Sequence, residues 1–411
     1  MVLLEKNNII VTTLLCLVAF TLPFGFVKNI NSISIILLSI YAIYISITQK
    51  KIVINKSALQ VLPIVYFVFL VFSLTYSEHI YQGVKQIEKN LSFLLFPLIF
   101  WRLDKFITQT TKDRILLSFV ISNIIALLIC IFYATMVYYQ KSDINLLIKG
   151  SFYFTEILDI HPTYFSMYLV LCICVLRTYL YNTKLKLNMV RKIITIVIMI
   201  FLLVSILHLR SRSAILGLIL IGVVLMCKRM IYMYKSNQKV FLGMLLGGIL
   251  LFFFLLFSTS VKNNLLEYAQ GYLKRDTSWA LEERLDGWSA SLEAVSESYI
   301  FGYGIGDSQK VRDKYFYIHG FDVGIDNEYN SHNQYIEILI IGGIFGLILF
   351  LSMYFKLILL YLKTFNTNIL CFFLLLFVIM ITESILVRQH GIVFFSFFYM
   401  LFNIRIDEKK G

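Results

Sequence analysis

Apolar residues run in long uninterrupted blocks along this chain, and short polar, basic stretches separate them. A helix needs roughly twenty apolar residues to cross about 30 Å of hydrocarbon. The blocks that meet or approach this criterion are approximately 9–27, 31–48, 59–75, 89–101, 115–139, 161–181, 193–209, 213–227, 240–258, 335–355, 366–386 and 391–404. They predict an all-α membrane protein of about twelve transmembrane helices. The fourth, eighth and last blocks are short, as tilted or half-buried helices would be. Transmembrane helices 1–9 then occupy 1–258, a polar loop domain 259–334, and transmembrane helices 10–12 with a tail 335–411.

The loop domain carries its own periodicity. Leu281, Leu285, Trp288, Leu292, Val295 and Tyr299 are spaced alternately four and three apart, which predicts a helix packing one face against the membrane domain. The run from Gly302 to Gly306 (Gly-Tyr-Gly-Ile-Gly) follows that helix outside any strand–turn–helix unit, so it reads as a turn and not as a dinucleotide site.

Composition agrees with membrane burial: 59% of the 411 residues are hydrophobic and only 15% are charged, far more apolar sequence than a soluble core requires. The formal charge of +13 could suggest nucleic acid. The basic residues instead sit mostly between apolar runs, the pattern of loops retained in the cytoplasm. With the N-terminus inside, most Lys and Arg fall in inner loops. The short outer loops and span ends keep Lys28, Lys85, Lys89, Lys141, Lys149, Arg210, Arg212 and Arg388. Both termini are thus expected inside and the large loop outside. The six cysteines all lie within apolar runs and form no CxxC pair, so they read as small packed side chains, not a redox or metal site. The first run lacks a small-residue cleavage site and is followed at once by another, so it reads as a retained span.

Polar residues on the outer side are the candidates for chemistry. Arg210 and Arg212 occupy an outer hairpin (Leu-Arg-Ser-Arg-Ser-Ala, 209–214) against the charge trend. Snorkelling to headgroups is one account of them; an anion site is the other, because paired guanidinium groups suit bidentate phosphate contacts. Arg284 lies beside the loop-helix stripe, where a surface ion pair with a nearby acid is the plain alternative. His332 stands where the loop enters the tenth span; it can move protons near neutrality, and Glu337 is placed to orient it or pair with it. Lys85 and Lys89, Arg388 and His390, and His161 fall at the same boundary. Together they predict a cationic outer vestibule.

The Arg-Ser-Arg-Ser-Ala hairpin, the helix from Arg284 to Trp288, the turn from Phe301 to Gly306, and His332-Asn333 followed by Gly342, Gly343 and Gly346 occur in that order. In this the chain resembles the O-antigen ligase and polymerase superfamily, most strongly from about 205 to 350. The resemblance implies a multi-pass protein of the bacterial inner membrane with a periplasmic active site. It implies transfer of a glycan from undecaprenyl diphosphate to an acceptor sugar, foremost the lipid A–core of lipopolysaccharide, with no cofactor and no metal. Partners would be the lipid-linked glycan, the glycan acceptor and membrane lipids, with no nucleic acid. By similarity, Arg212 and Arg284 would stabilise the leaving diphosphate and His332 would activate the acceptor hydroxyl. Arg210, Lys89 and Arg388 join as substrate-binding residues by their side of the membrane alone.

Close alternatives are an O-antigen or capsule polymerase and a protein O-oligosaccharyltransferase. A transporter is the alternative of a different class, but it should show broken helices and polar residues at mid-membrane, often in repeats. Here the charges gather at one boundary and no repeat stands out. The predicted topology has a direct test. Single cysteines placed beside Arg212, Arg284 and His332 should react with a membrane-impermeant thiol reagent in cells whose outer membrane alone is permeabilised. Labelling only after the inner membrane is opened would invert the topology.

Overall fold

The computed structural model describes residues 2–27, 29–48, 58–141, 151–181, 187–236 and 277–404. The helices are α1 (Val2–Thr21), α2 (Ile30–Thr48), α3 (Ala58–Ser73), α4 (Ile80–Asn90), α5 (Ser92–Leu103), α6 (Gln109–Lys141), α7 (Ser151–Glu156) and α8 (Pro162–Tyr181). They continue with α9 (Met189–His208), α10 (Arg212–Ser236), α11 (Thr277–Glu297), α12 (Ser308–Ile318), α13 (Asp322–Asp326), α14 (Gln334–Thr364), α15 (Thr367–Thr382) and α16 (Gln389–Asn403). No strand occurs among the described residues.

Among the described residues six helices are long and apolar enough to cross a membrane: α2, α6, α8, α9, α10 and α14. Shorter apolar helices cover Lys6–Thr21, Gln60–Tyr76 and Thr367–Thr382. All-helical over its described residues and carrying several such spans, the chain has the character of a multi-pass membrane protein. The expected span at 240–258 lies outside the described residues. The block at 89–101 falls across a helix break instead of within one helix. Helix α4 ends at Asn90 and α5 holds 12 residues, about 18 Å of helix at 1.5 Å per residue. The polar positions Lys85, Gln86, Glu88 and Lys89 account for the break, since they suit a boundary helix and not a lipid-spanning one.

Helix α16 is apolar all round and buried from Gly391 to Asn403. Such a helix belongs inside a bundle. Its rings meet those of its neighbours: Phe398 against Phe119 at 4.9 Å, Phe394 against Tyr168 at 4.9 Å, Phe395 against Phe93 at 5.7 Å and Phe397 against Phe96 at 5.4 Å. With only 15 residues it is short for a span, but surrounding helices shield it from lipid. Its first turn lies at the end of the bundle where α15 ends. The cysteines are free, and Cys130, Cys172, Cys174 and Cys371 are buried in the packing.

Helix α11 corrects the expected stripe. Trp288 and Val295 do pack towards Ile336 and Ile340 of α14. Leu285, Leu292 and Tyr299, however, are exposed, and the buried face is Gly287, Ala290, Ser291 and Ala294. Small residues sit there because the space belongs to Tyr315, Phe316 and Phe321 of the following segment.

Helix α14 is broken at Gly343, whose φ of 56° and ψ of −156° are not helical. A break inside an apolar helix strands backbone groups that lipid cannot satisfy. The glycine-rich turn after α11 supplies the partners: Tyr303 N donates to Ile340 O at 2.8 Å and Gly304 N to Ile341 O at 2.9 Å, while Ile344 N donates to Tyr299 O at 2.8 Å. The turn reading of this run therefore holds, with positive φ at Gly302 and Gly304. A Cβ on Gly343 would overlap the Ile300 carbonyl. Gly343→Ala is expected to destabilise the protein by at least the 1–3 kcal/mol or so of backbone strain. Thermal unfolding of detergent-purified protein checks this; an unchanged midpoint would mean that the junction tolerates a side chain.

Candidate functional site

The candidate site forms where α15 ends, α14 begins and the loop helix α11 crosses. Glu383 caps the C-terminus of α15 in an extended conformation, its amide donating to Ile379 O at 2.9 Å. Leaving the helix there frees its carboxylate for two partners. Arg284 Nη2 of α11 donates to Oε1 at 2.8 Å, and His332 Nδ1 stands 3.3 Å from Oε2. All three side chains are partly covered, Glu383 the most at 13% exposure.

His332 is held by its neighbours. Its φ is +44°, a left-handed backbone uncommon outside glycine. Its amide donates to Asn330 Oδ1 at 2.9 Å. The next residue, Asn333, caps α14 by accepting from the amides of Tyr335 and Ile336, and its own amide donates to Ser384 Oγ at 3.1 Å. Leu386 N donates to Gln334 Oε1 at 2.6 Å. The turn after α15 is thus laced to the start of α14, and the ring of Tyr329 meets the imidazole edge-on at 5.3 Å.

Burial alone would push the Glu383 carboxyl up. The His332 hydrogen bond and the charges of His332, Arg284 and His161 outweigh it and hold the group below its ordinary value. Ionised Glu383 accepts from His332 when Nδ1 carries the proton, which leaves Nε2 as the basic nitrogen of the neutral ring. That is the logic by which a carboxylate orients a general-base imidazole. Burial lowers His161, and beside it Glu383 raises it while Arg388, His332 and Arg284 lower it further. His161 therefore faces the same cluster as a neutral ring at pH 7. Burial, then Arg388 and Lys85, lower Lys89. Arg388 accordingly lies near both Lys89 and His161.

Arg212 opens α10 and is exposed. Helix α10 packs antiparallel on α15: a Cβ on Gly217 would lie 3.3 Å from Leu375, whereas Lys228, further along α10, lies over the ring of Phe365 just before α15 begins. Five residues further out on both helices, Arg212 comes level with the end of α15 that bears Glu383. No described residue forms an ion pair with it. Arg210 lies on the same turn, exposed and with a φ of +53°. Of the six candidates, His332 and Arg284 meet on one carboxylate, Arg388 lies near His161 and Lys89 near Arg388, and Arg212 and Arg210 share the level of the end of α15.

Two sequence readings are corrected. Glu337 does not pair with His332: its carboxylate pairs with Arg312 at 2.6 Å and is buried. Arg284 does have an ion pair, but with Glu383 at 99 residues' separation and not with an acid beside it. Glu383 itself was overlooked. Its signal is one acid at the outer end of an apolar block, among cations. No group of three or more His, Cys, Asp or Glu able to hold a metal occurs among the described residues.

Residues 196–351 match a family model described as O-antigen ligase. Over this segment, 156 of the 411 residues, the chain is similar to the O-antigen ligase superfamily. The match contains Arg210, Arg212, Arg284 and His332, whereas Glu383, Lys89 and Arg388 lie outside it. No curated protein matches the chain. That likeness supports an O-antigen ligase- or polymerase-type activity in general.

Because the folded Glu383 value is depressed, its stabilisation is complete above its unfolded value of about 4.3. It is lost as pH falls through the lower folded value. At neutral pH Glu383→Gln should cost about 1–3 kcal/mol from weakened charged hydrogen bonds. The gap in unfolding midpoint from wild type should close below about pH 4. A gap that is constant with pH would show that the ionised carboxylate is not what stabilises the cluster.

Proposed function

We propose that this protein transfers a glycan from undecaprenyl diphosphate to the lipid A–core of lipopolysaccharide, on the periplasmic side of the inner membrane and without a metal. The twelve-span plan read from the sequence belongs to the same proposal. The observation that carries the reading is the Glu383 carboxylate shared by Arg284 and His332.

In the reaction, the acceptor hydroxyl gives its proton to Nε2 of His332 as its oxygen attacks the anomeric carbon. The bond from that carbon to the diphosphate oxygen breaks, and the diphosphate leaves with the electron pair. Glu383 fixes the imidazole and stabilises the imidazolium that forms. Arg284 uses one Nη2 contact on Glu383. Its other N–H groups remain for the diphosphate, joined by Arg212 and, further out, by Arg210, Lys89 and Arg388. Preorganised donors facing developing negative charge are among the strongest sources of rate enhancement. Guanidinium groups supply here the charge that a divalent ion supplies elsewhere.

Assays with purified protein, lipid-linked donor and lipid A–core in excess chelator test these roles. His332→Ala should lower turnover about 10²–10⁴-fold with donor binding nearly intact. Arg212→Lys keeps the charge but loses the planar fork, so binding and turnover should both suffer, and Arg284→Ala should behave alike. Wild-type turnover by His332→Ala, or dependence of transfer on added magnesium, would sink the mechanism. In cells, loss of a ligase leaves long glycan on its lipid carrier and bare core, whereas loss of a polymerase leaves core with a single repeat unit.

A further inference from the structure

One buried charged pair takes no part in the mechanism above. Arg312 of α12 and Glu337 of α14 form an ion pair at 2.6 Å, each side chain 3% exposed. Removing two charges from water costs several kcal/mol per ion, and apolar residues of similar volume often stabilise a protein as well or better. Stability alone therefore gives little reason for the pair.

Its hydrogen bonds lead to His332 from two directions. Glu337 Oε2 accepts from Ser331 N at 3.3 Å and from Ser331 Oγ at 3.0 Å, so the residue preceding His332 is tied to α14 twice. On the other side, Arg312 Nη2 donates to Gln309 Oε1 at 2.6 Å, and Gln309 Nε2 reaches Tyr329 O at 3.4 Å. Tyr329 is the ring that stands against the imidazole. The left-handed backbone at His332 needs such restraint, because an isolated chain would not hold it.

We propose that the Arg312–Glu337 pair is a positioning device that holds His332 Nδ1 on Glu383 and so aims Nε2 at the acceptor. The proposal rests on the glycosyl-transfer reading of the site. Neither Arg312 nor Glu337 touches substrate; both act through Ser331 and Tyr329.

The test replaces both members, Arg312→Met with Glu337→Met, so that no buried charge is left alone. Transfer is measured with undecaprenyl-diphosphate-linked glycan and lipid A–core, alongside the thermal unfolding midpoint. Misplacement of a catalytic group by about 1 Å can cost about 10²-fold, so kcat should fall about 10- to 100-fold. Donor KM and the unfolding midpoint should stay near wild type. A folded double variant with wild-type kcat would overturn the proposal, as would a loss of rate explained by an equal loss of folded protein. Ser331→Ala provides the second arm, since it cuts one tether and leaves the ion pair intact. It should lower kcat severalfold with no change in unfolding midpoint; wild-type kcat in this variant would also overturn the proposal. His332→Ala separates the two levels. If it transfers at the wild-type rate, the reading of the site fails; if it is inactive while the double variant is fully active, only the positioning role fails.

Discussion

A single carboxylate organises this end of the bundle. Glu383 takes one oxygen to Arg284 and the other to His332, and those residues lie 99 and 51 positions away in sequence. The contact joins the loop helix, the start of α14 and the end of α15. An ion pair between exposed side chains would contribute little. This one is mostly covered, its acceptor stays ionised against the cost of burial, and each oxygen has a partner. Placement of the imidazole follows from the same contact, so local stability and chemistry depend on one group.

The second constraint is that apolar surroundings leave no backbone group to water. Helix α14 breaks at Gly343 and would otherwise lose hydrogen bonds at mid-helix. The turn from Tyr299 to Gly304 fills the gap with its own donors and acceptors. Glycine is required on both sides of the junction, since a Cβ at Gly302 would come within 2.6 Å of Ile340 O and one at Gly343 would overlap the Ile300 carbonyl. The same turn continues to Asp307, which accepts from the amides of Glu78 and His79 and from the His79 ring. The loop domain is therefore fastened to the segment after α3 by the Asp307 carboxylate and to the break in α14 by its backbone, and Arg284 and His332 are carried on a fixed frame.

How much of this is legible in the chain depends on the range of the interaction. Apolar blocks and their spacing locate most helices, because span length is set locally by the thickness of hydrocarbon. Arg212, Arg284 and His332 stand out because polar residues at an outer boundary break a strong pattern. Glu383 does not, since a lone acid after an apolar block has no periodicity and its partners are remote. Glu337 misleads by proximity: five positions from His332, it turns to Arg312 on a different helix. The α11 stripe misleads for a related reason, as large apolar side chains suggest the buried face when small ones admit the aromatic rings of the next segment. The glycine run is recognisable as a turn, but the gap it fills is in another helix.

Charge balance connects the frame to its proposed substrate. Glu383 brings one negative charge to a neighbourhood holding Arg284, Arg388 and Lys89, with His161 and His332 as further proton-binding groups. Arg212 and Arg210 lie at the same level of the bundle. A site whose cations were each paired would have no field left for an anion. Here the acid neutralises part of the charge while fixing the geometry, and the surplus remains directed at the boundary. Burial and neighbouring cations already lower Lys89, so an incoming anion would be favoured there by relief of that repulsion as well as by direct attraction. A lipid-linked diphosphate arriving along the membrane surface would supply that missing charge. Its departure during transfer would increase the charge that the arginines are placed to stabilise.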